Sequence, residues 1–127
     1  MSLKRMPASL VRWLRDLRSG DFKQTQNYLC RIDSAGEKAF CCLGLFAHKD
    51  PRFKGAVSGK AFGDNYKNYE YGPYRQVYAT ELPEDVFRDM GLEPSLMTRL
   101  IDMNDCQGST FAEVADVIED HWKVNNP

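Results

Sequence analysis

The sequence contains no stretch approaching the roughly 18 consecutive apolar residues that a membrane-spanning helix needs. Its basic N-terminus, Met1 to Pro7, also lacks the apolar segment and the small-residue cleavage site of a secretory signal. We therefore expect a cytoplasmic protein with no membrane partner.

The common motifs of nucleotide and metal binding are absent as well. There is no Walker sequence and no Gly-x-Gly-x-x-Gly, so phosphoryl transfer has no support. The 4 cysteines and 2 histidines show none of the paired spacings of zinc sites, and Cys106 would stand where a calcium loop requires oxygen. We predict no metal, no cofactor and reduced thiols, including the vicinal Cys41 and Cys42.

What remains is the composition of one globular domain with an uneven distribution of charge. The chain has 127 residues, 43% of them hydrophobic. Residues 1–60 carry 12 Lys and Arg against 5 Asp and Glu, whereas residues 61–127 carry 5 against 13. This asymmetry indicates either a basic surface for an anionic partner, or two halves that attract one another within the fold or across a homo-oligomer.

The N-terminal half is predicted to begin with a helix and a hairpin. Apolar residues at helical spacing predict a helix over residues 8–19, with a basic strip on its outer face. Two antiparallel strands are predicted at 26–32 and 38–42, because turn residues separate them. The apolar run that follows is too long for a strand and should continue as a short buried helix ending before Pro51.

Residues 51–80 combine glycines with aromatic side chains and show no regular periodicity. We predict an irregular, aromatic-rich segment in which only Gln76 to Thr80 forms a third strand. Segments of this length without regular elements are usually functional or mobile. The aromatic residues are Phe53, Phe62, Tyr66, Tyr69, Tyr71, Tyr74 and Tyr78.

The acidic half is predicted to be helical. A short helix over residues 83–91 and a second one opening at Pro94 precede a polar turn at 102–108. Thr110 and Glu113 form a capping box for the last helix. The whole chain is therefore predicted to be a single α+β domain, with a small antiparallel sheet of two to three strands packed against four to five helices.

A thiol nucleophile is one alternative for function. Cys41 and Cys42 lie where a strand should enter a helix, and a helix N-terminus favours the thiolate. His48 or His121 would then act as the base of a hydrolase or transferase. Cysteine is also among the most buried residue types, and this pair belongs to an apolar run. We therefore predict core cysteines and no catalytic residue.

Binding through exposed side chains is the favoured function, because tyrosine supplies a large contact area at low rotamer cost. Nucleic-acid binding by the basic N-terminal half is an alternative, with tyrosines near Lys60 and Lys67 stacking on bases. The pI near 6.1 and the acidic last helices disfavour it. The predicted binding residues are Arg12, Arg15, Arg18, Tyr66, Tyr69, Tyr71, Tyr74 and Arg75.

Short motifs at both ends of the chain carry a resemblance to a known group of proteins. They are WLR at 13–15, LRSG at 17–20, FCCLGL at 40–45, Leu82-Pro83, LIDMND at 100–105 and STFAEVADVIE at 109–119. In these motifs the chain resembles small uncharacterised proteins encoded by tailed bacteriophages and prophages. The resemblance implies a shared fold and a phage accessory protein in the cytoplasm of a bacterial host. It further implies that the protein blocks or redirects a host or defence protein by binding it.

Overall fold

The computed structural model describes residues 5–61, 64–72 and 76–127. These residues form an α+β domain with five helices and an open antiparallel sheet of five strands. The elements are α1 (Ala8–Ser19), β1 (Cys30–Ile32), β2 (Lys38–Phe40), α2 (Cys42–Lys49), β3 (Phe53–Ala61), β4 (Asp64–Tyr71), β5 (Gln76–Tyr78), α3 (Glu84–Asp89), α4 (Ser95–Asp105) and α5 (Phe111–Asn125).

The sheet has the strand order β2-β1-β4-β3, and β5 also pairs with β4. One edge of β4 is occupied by β3, so β1 and β5 share its other edge, β1 opposite Asn65 and Tyr66 and β5 opposite residues 69–71. The free edge of β2 is covered by a parallel bridge between Gln24 and Phe40. Along each strand from β2 to β3, successive side chains point to opposite faces of this sheet.

The structure corrects the predicted number of strands, which is five and not two or three. The third strand predicted at Gln76 to Thr80 is present as β5, but the rest of residues 51–80, predicted to be irregular, contains the two longest strands, β3 and β4. Two glycines on β3 explain the difference, because large side chains of β4 lie across them. A Cβ on Gly59 would meet the ring of Tyr66, and one on Gly55 would meet the side chain of Lys67. These glycines permit close packing within a sheet where the sequence suggested interruptions.

The helix predictions are confirmed except at the end of α4. The helix over residues 8–19 and the capping box between Thr110 and Glu113 are both present. The predicted polar turn at 102–108 begins too early, because α4 continues to Asp105. The backbone N–H of Cys106 still donates to the carbonyl of residue 102, so the last turn stays helical.

The core lies between the sheet and the helices, with α2 at its centre. Residues 42–47 are all buried, as the apolar run predicted. Trp13 on α1 packs edge-on against Phe46 of α2 and donates a hydrogen bond to the carbonyl of Cys42 (2.9 Å). Gly44 lies so close to the backbone of Leu29 that a Cβ would overlap its carbonyl. The N-terminal turn of α2 is thereby held against the sheet.

Among the helices that the structure describes, none has both the length and the apolar character needed to span a lipid bilayer.

Candidate binding site

The two vicinal thiols are buried at the start of α2. Cys41 is the N-cap residue, and its Sγ accepts a hydrogen bond from the N–H of Gly44 (3.3 Å). Burial raises the pKa of the Cys41 thiol to about 12, and burial likewise raises the pKa of Cys42. A thiol with such a pKa holds almost no thiolate near neutral pH, despite its position at a helix N-terminus.

Neither histidine is placed to serve as a base for these thiols. His48 lies seven residues along α2 from Cys41, a distance of roughly 10 Å at the helical rise. His121 is on α5, where its Nε2 accepts a hydrogen bond from the N–H of Glu93 (3.2 Å). The structure therefore does not assemble the nucleophile and base that the cysteine alternative requires.

The basic strip of α1 is partly used inside the fold. Arg12 pairs with the buried carboxylate of Asp50 (3.5 Å), and Arg18 pairs with Asp116 (2.8 Å) and with Glu119 on α5. Arg15 is exposed and has no ion pair among the residues that the structure describes. Ion pairs within the fold thus account for two of the three arginines, and that of Arg18 joins the basic half to the acidic half.

The predicted tyrosines separate into two groups on opposite faces of the sheet. Tyr69 and Tyr71 are buried, and the ring of Tyr71 packs against Phe53 at 4.9 Å. Tyr66 points to the other face, where it stacks on Tyr28 with ring centroids 4.5 Å apart. The remaining two predicted binding residues, Tyr74 and Arg75, lie outside the described residues.

A group of basic side chains gathers on the face of the sheet that carries Tyr69. We call it the lysine cluster; its members are Lys38, His48, Lys49 and Lys67. Burial lowers the pKa of His48, and the charges of the three lysines lower it further. Burial and the charge of Lys38 likewise lower the pKa of Lys67. These mutual effects place the four groups in one electrostatic neighbourhood.

Aromatic rings lie beneath three members of the lysine cluster. The Nζ of Lys67 is 5.5 Å from the centroid of the Tyr69 ring, and the Nζ of Lys49 is 5.1 Å from that of Phe22. The imidazole of His48 lies 4.6 Å from the ring of Phe40. Cations over aromatic faces are held by the ring quadrupole while their outer sides stay available to solvent.

The lysine cluster has no carboxylate partner in an ion pair among the side chains that the structure describes, which leave out that of Asp64. The charge of Asp16 on α1 acts on the pKa of His48 in the opposite direction, and its effect is smaller than those of burial and of the three lysines. By contrast, Arg52 is neutralised by Asp50 through contacts of 3.0 Å. The cluster is therefore a patch of uncompensated positive charge.

Sequence reasoning named His48 only as a candidate base and Lys67 only as a nucleic-acid contact, and it missed Lys38 and Lys49. The strand period offered one signal, because Lys38 and Phe40 alternate onto the same face of β2. No pattern in the sequence indicates that β4 lies beside β1 and brings Lys67 to that face. Among the described residues, no group of three or more His, Cys, Asp or Glu could hold a metal ion.

Comparison with the curated proteins and with the solved structures finds no match. A family model does match, and its match covers residues 9–122, from the first turn of α1 to the last turns of α5. The matched range includes the whole sheet and every member of the lysine cluster. The chain therefore belongs to the family described as a domain of unknown function, DUF8296.

Proposed function

We propose that this protein is a phage accessory protein that acts by binding and not by catalysis, and that its partner is an acidic protein of the host or of its defence systems. The observation that carries the proposal is the lysine cluster, four basic groups of which three lie over aromatic rings, with no ion-pair partner among the side chains that the structure describes. The phage context is supported by the resemblance of the terminal motifs.

Non-catalytic action is supported by the state of the thiols. Cys41 and Cys42 are buried and protonated near neutral pH, and both histidines lie away from them or are already hydrogen bonded. A cysteine-dependent hydrolase would need a thiolate and a base within hydrogen-bonding reach. The described residues offer neither.

An acidic protein fits the lysine cluster better than a nucleic acid does. A protein that binds duplex DNA commonly neutralises about 6–10 phosphates along an extended basic surface. Here the positive patch is small, and α5 exposes carboxylates at Glu113, Asp116 and Asp120 that would repel a long polyanion. A short acidic segment can contact the three lysines without meeting that side of the molecule.

The test is capture of partners from host lysate by variants of equal charge. Lys38→Glu combined with Lys67→Glu should lose at least about tenfold of the specific partner, because two attractive contacts become repulsive. Arg5→Glu combined with Arg99→Glu changes the net charge equally at exposed positions outside the cluster and should retain the partner. Circular dichroism checks that both double variants are folded.

Two outcomes would contradict the proposal. Equal capture by the two double variants would show that the lysine cluster is not the docking surface. Salt-dependent retention on DNA that only the Lys38 and Lys67 variant loses would identify a nucleic acid as the partner in place of a protein.

A further inference from the structure

We propose that Lys38 and Lys67 form a binding site for a phosphoryl group, so that the partner presents a phosphorylated residue to the lysine cluster on the face of the sheet that carries Tyr69. The inference rests on the proposed function, because it names the chemical group that the lysine cluster recognises. It is carried by the positions of these two side chains on neighbouring strands.

The sheet register brings the two lysines to the same face of the sheet. We call the space between their side chains, above Cys30, the notch. On β2, Lys38 is opposite Ile32 of β1, and Phe40 is opposite Cys30. The pairing of β1 with β4, continued by one residue, places Cys30 beside Lys67. Since adjacent strands are roughly 4.8 Å apart, the two lysine backbones are about 10 Å apart laterally. They are also offset by two residues along the strands, with Ile32 beside Lys38 and Cys30 beside Lys67 on the strand between them.

The long side chains close this distance above Cys30. The positive charges of both lysines act on the thiol of Cys30, and, in addition to burial, the charge of Lys38 also lowers the pKa of Lys67. Lys67 is also fixed from below, because its side chain crosses Gly55 and its Nζ lies over the ring of Tyr69. The convergence of the two amines is therefore a property of the folded sheet.

Two neighbouring ammonium groups on one face repel one another, and no carboxylate whose side chain the structure describes forms an ion pair with either. An anion between them would replace the repulsion by two charge-assisted hydrogen bonds. A phosphoryl group carries a charge near −2 and matches both ammonium groups, whereas a single carboxylate matches one. Lysine is a common phosphate ligand because its ammonium is a compact point charge.

The floor of the notch adds an unused polar group. The hydroxyl of Tyr69 is buried, with the residue 2% exposed, and it has no nitrogen or oxygen partner among the described residues. Its polar neighbour is the thiol of Cys30, which is a weak hydrogen-bonding group. A buried hydroxyl without a strong partner is unusual in folded proteins and is consistent with a site that a ligand completes.

Inorganic phosphate is the probe for the site. The thermal unfolding midpoint is measured in phosphate and in sodium chloride at equal ionic strength, for the full chain and its variants. We expect a saturable rise in phosphate for the wild type, and its loss in Lys38→Met and Lys67→Met, which keep the apolar part of the side chain. Lys54→Met, exposed on the opposite face of the sheet, should keep the rise.

The pKa of Lys67 provides a second readout at the site itself. The variant Lys38→Arg distinguishes loss of the positive charge from damage to the fold. Phosphate should raise the pKa of Lys67, measured by NMR at its Cε position, toward the ordinary value for lysine, because the bound anion favours the ammonium. Lys38→Arg keeps the positive charge and should keep the phosphate response. An equal rise in every variant, or no rise in the wild type, would overturn the proposal.

The failure of this inference can be told apart from failure of the proposed function. If phosphatase treatment of the lysate leaves capture by the wild type unchanged, the partner offers carboxylates and only the phosphoryl inference fails. If phosphate binds at the notch but charge reversal there leaves partner capture unchanged, the site binds a free phosphate compound. In that case the proposed function fails. Competition between a phosphopeptide of the captured partner and inorganic phosphate identifies the protein-borne source.

Discussion

The side chain of Asn104 on α4 accepts a hydrogen bond from the backbone N–H of Cys42, in the first turn of α2 (3.2 Å). The amide group of Asn104 also donates to the carbonyl of Thr25 (2.8 Å), beside the edge of β2. Through one residue that is 1% exposed, α4 is joined to α2 and to the sheet. The FCCLGL and LIDMND motifs therefore meet in the core.

Polar neighbours complete this junction. The side-chain amide of Gln24 donates to Asn104 Oδ1 (2.8 Å) and to the carbonyl of Ser109 (2.9 Å). Asp105 accepts from Asn104 and from the backbone N–H of Asn27, a residue with a φ of 72°. Asn104 and Asp105 are adjacent at the end of α4. Asp105 holds the strained backbone at Asn27, and Asn104 holds the first turn of α2.

Asn104→Ala should destabilise the protein by about 3 kcal/mol, because it leaves the buried N–H of Cys42 and the carbonyl of Thr25 without partners. Urea unfolding followed by circular dichroism measures the change. Asn125→Ala, which removes an exposed hydrogen bond within α5, should cost less than about 0.5 kcal/mol. A loss below about 1 kcal/mol for Asn104→Ala would mean that the junction is not needed for stability.

Gly44→Ala should destabilise the protein by about 3 kcal/mol or more, since a Cβ at this position would overlap the carbonyl oxygen of Leu29. Backbone cannot move aside as a flexible side chain can. Gly72→Ala, where no atom lies within 4 Å of the added Cβ, serves as the control and should be nearly neutral. Similar urea midpoints for the two variants would contradict the packing described for α2.

Only one thiol should react rapidly with a thiol reagent in the native protein near pH 8. Cys106 is exposed, whereas Cys30, Cys41 and Cys42 are buried. Cys106→Ser should therefore remove the fast phase, and denaturant should expose the other three. Rapid labelling of Cys41 below pH 7 would favour the cysteine-dependent enzyme over the proposed binding protein.

Asp50→Asn should cost about 2 kcal/mol at pH 7 and less in acid. Burial alone would raise the pKa of Asp50, but hydrogen bonds and charge from Arg52, with the charge of Arg12, outweigh it and hold the pKa below the ordinary 3.8. The stabilisation by this carboxylate is therefore complete above about pH 4 and is lost as the pH falls through the lowered value.

The measurement is the difference in unfolding free energy between wild type and Asp50→Asn at pH 7 and at pH 3. The difference should shrink in acid, where the wild-type carboxylate becomes protonated. Asp116→Asn removes an exposed partner of Arg18 and should cost at most about 1 kcal/mol at either pH. A difference for Asp50 that is constant with pH would show that Asp50 does not act through its charge.

The sequence by itself determined the elements whose stabilising contacts are local. The apolar stripe over residues 8–19 and the capping box of Thr110 and Glu113 involve neighbours three or four positions apart, so periodicity and capping rules predicted α1 and α5. The hairpin of β1 and β2 followed from turn residues in the same way. The burial of Cys41 and Cys42 followed from the apolar run that contains them.

Only the tertiary structure decided β3, β4 and the site upon them, whereas the sequence also predicted a strand where β5 lies. The packing of Tyr66 over Gly59 and of Lys67 over Gly55 joins two strands whose residues show no alternation of polarity in the sequence. The meeting of Lys38 with Lys67 depends on the pairing of β1 with β4, across about 30 residues of chain. Long-range strand pairing is set by the packing of the whole domain, and local spacing carries no record of it.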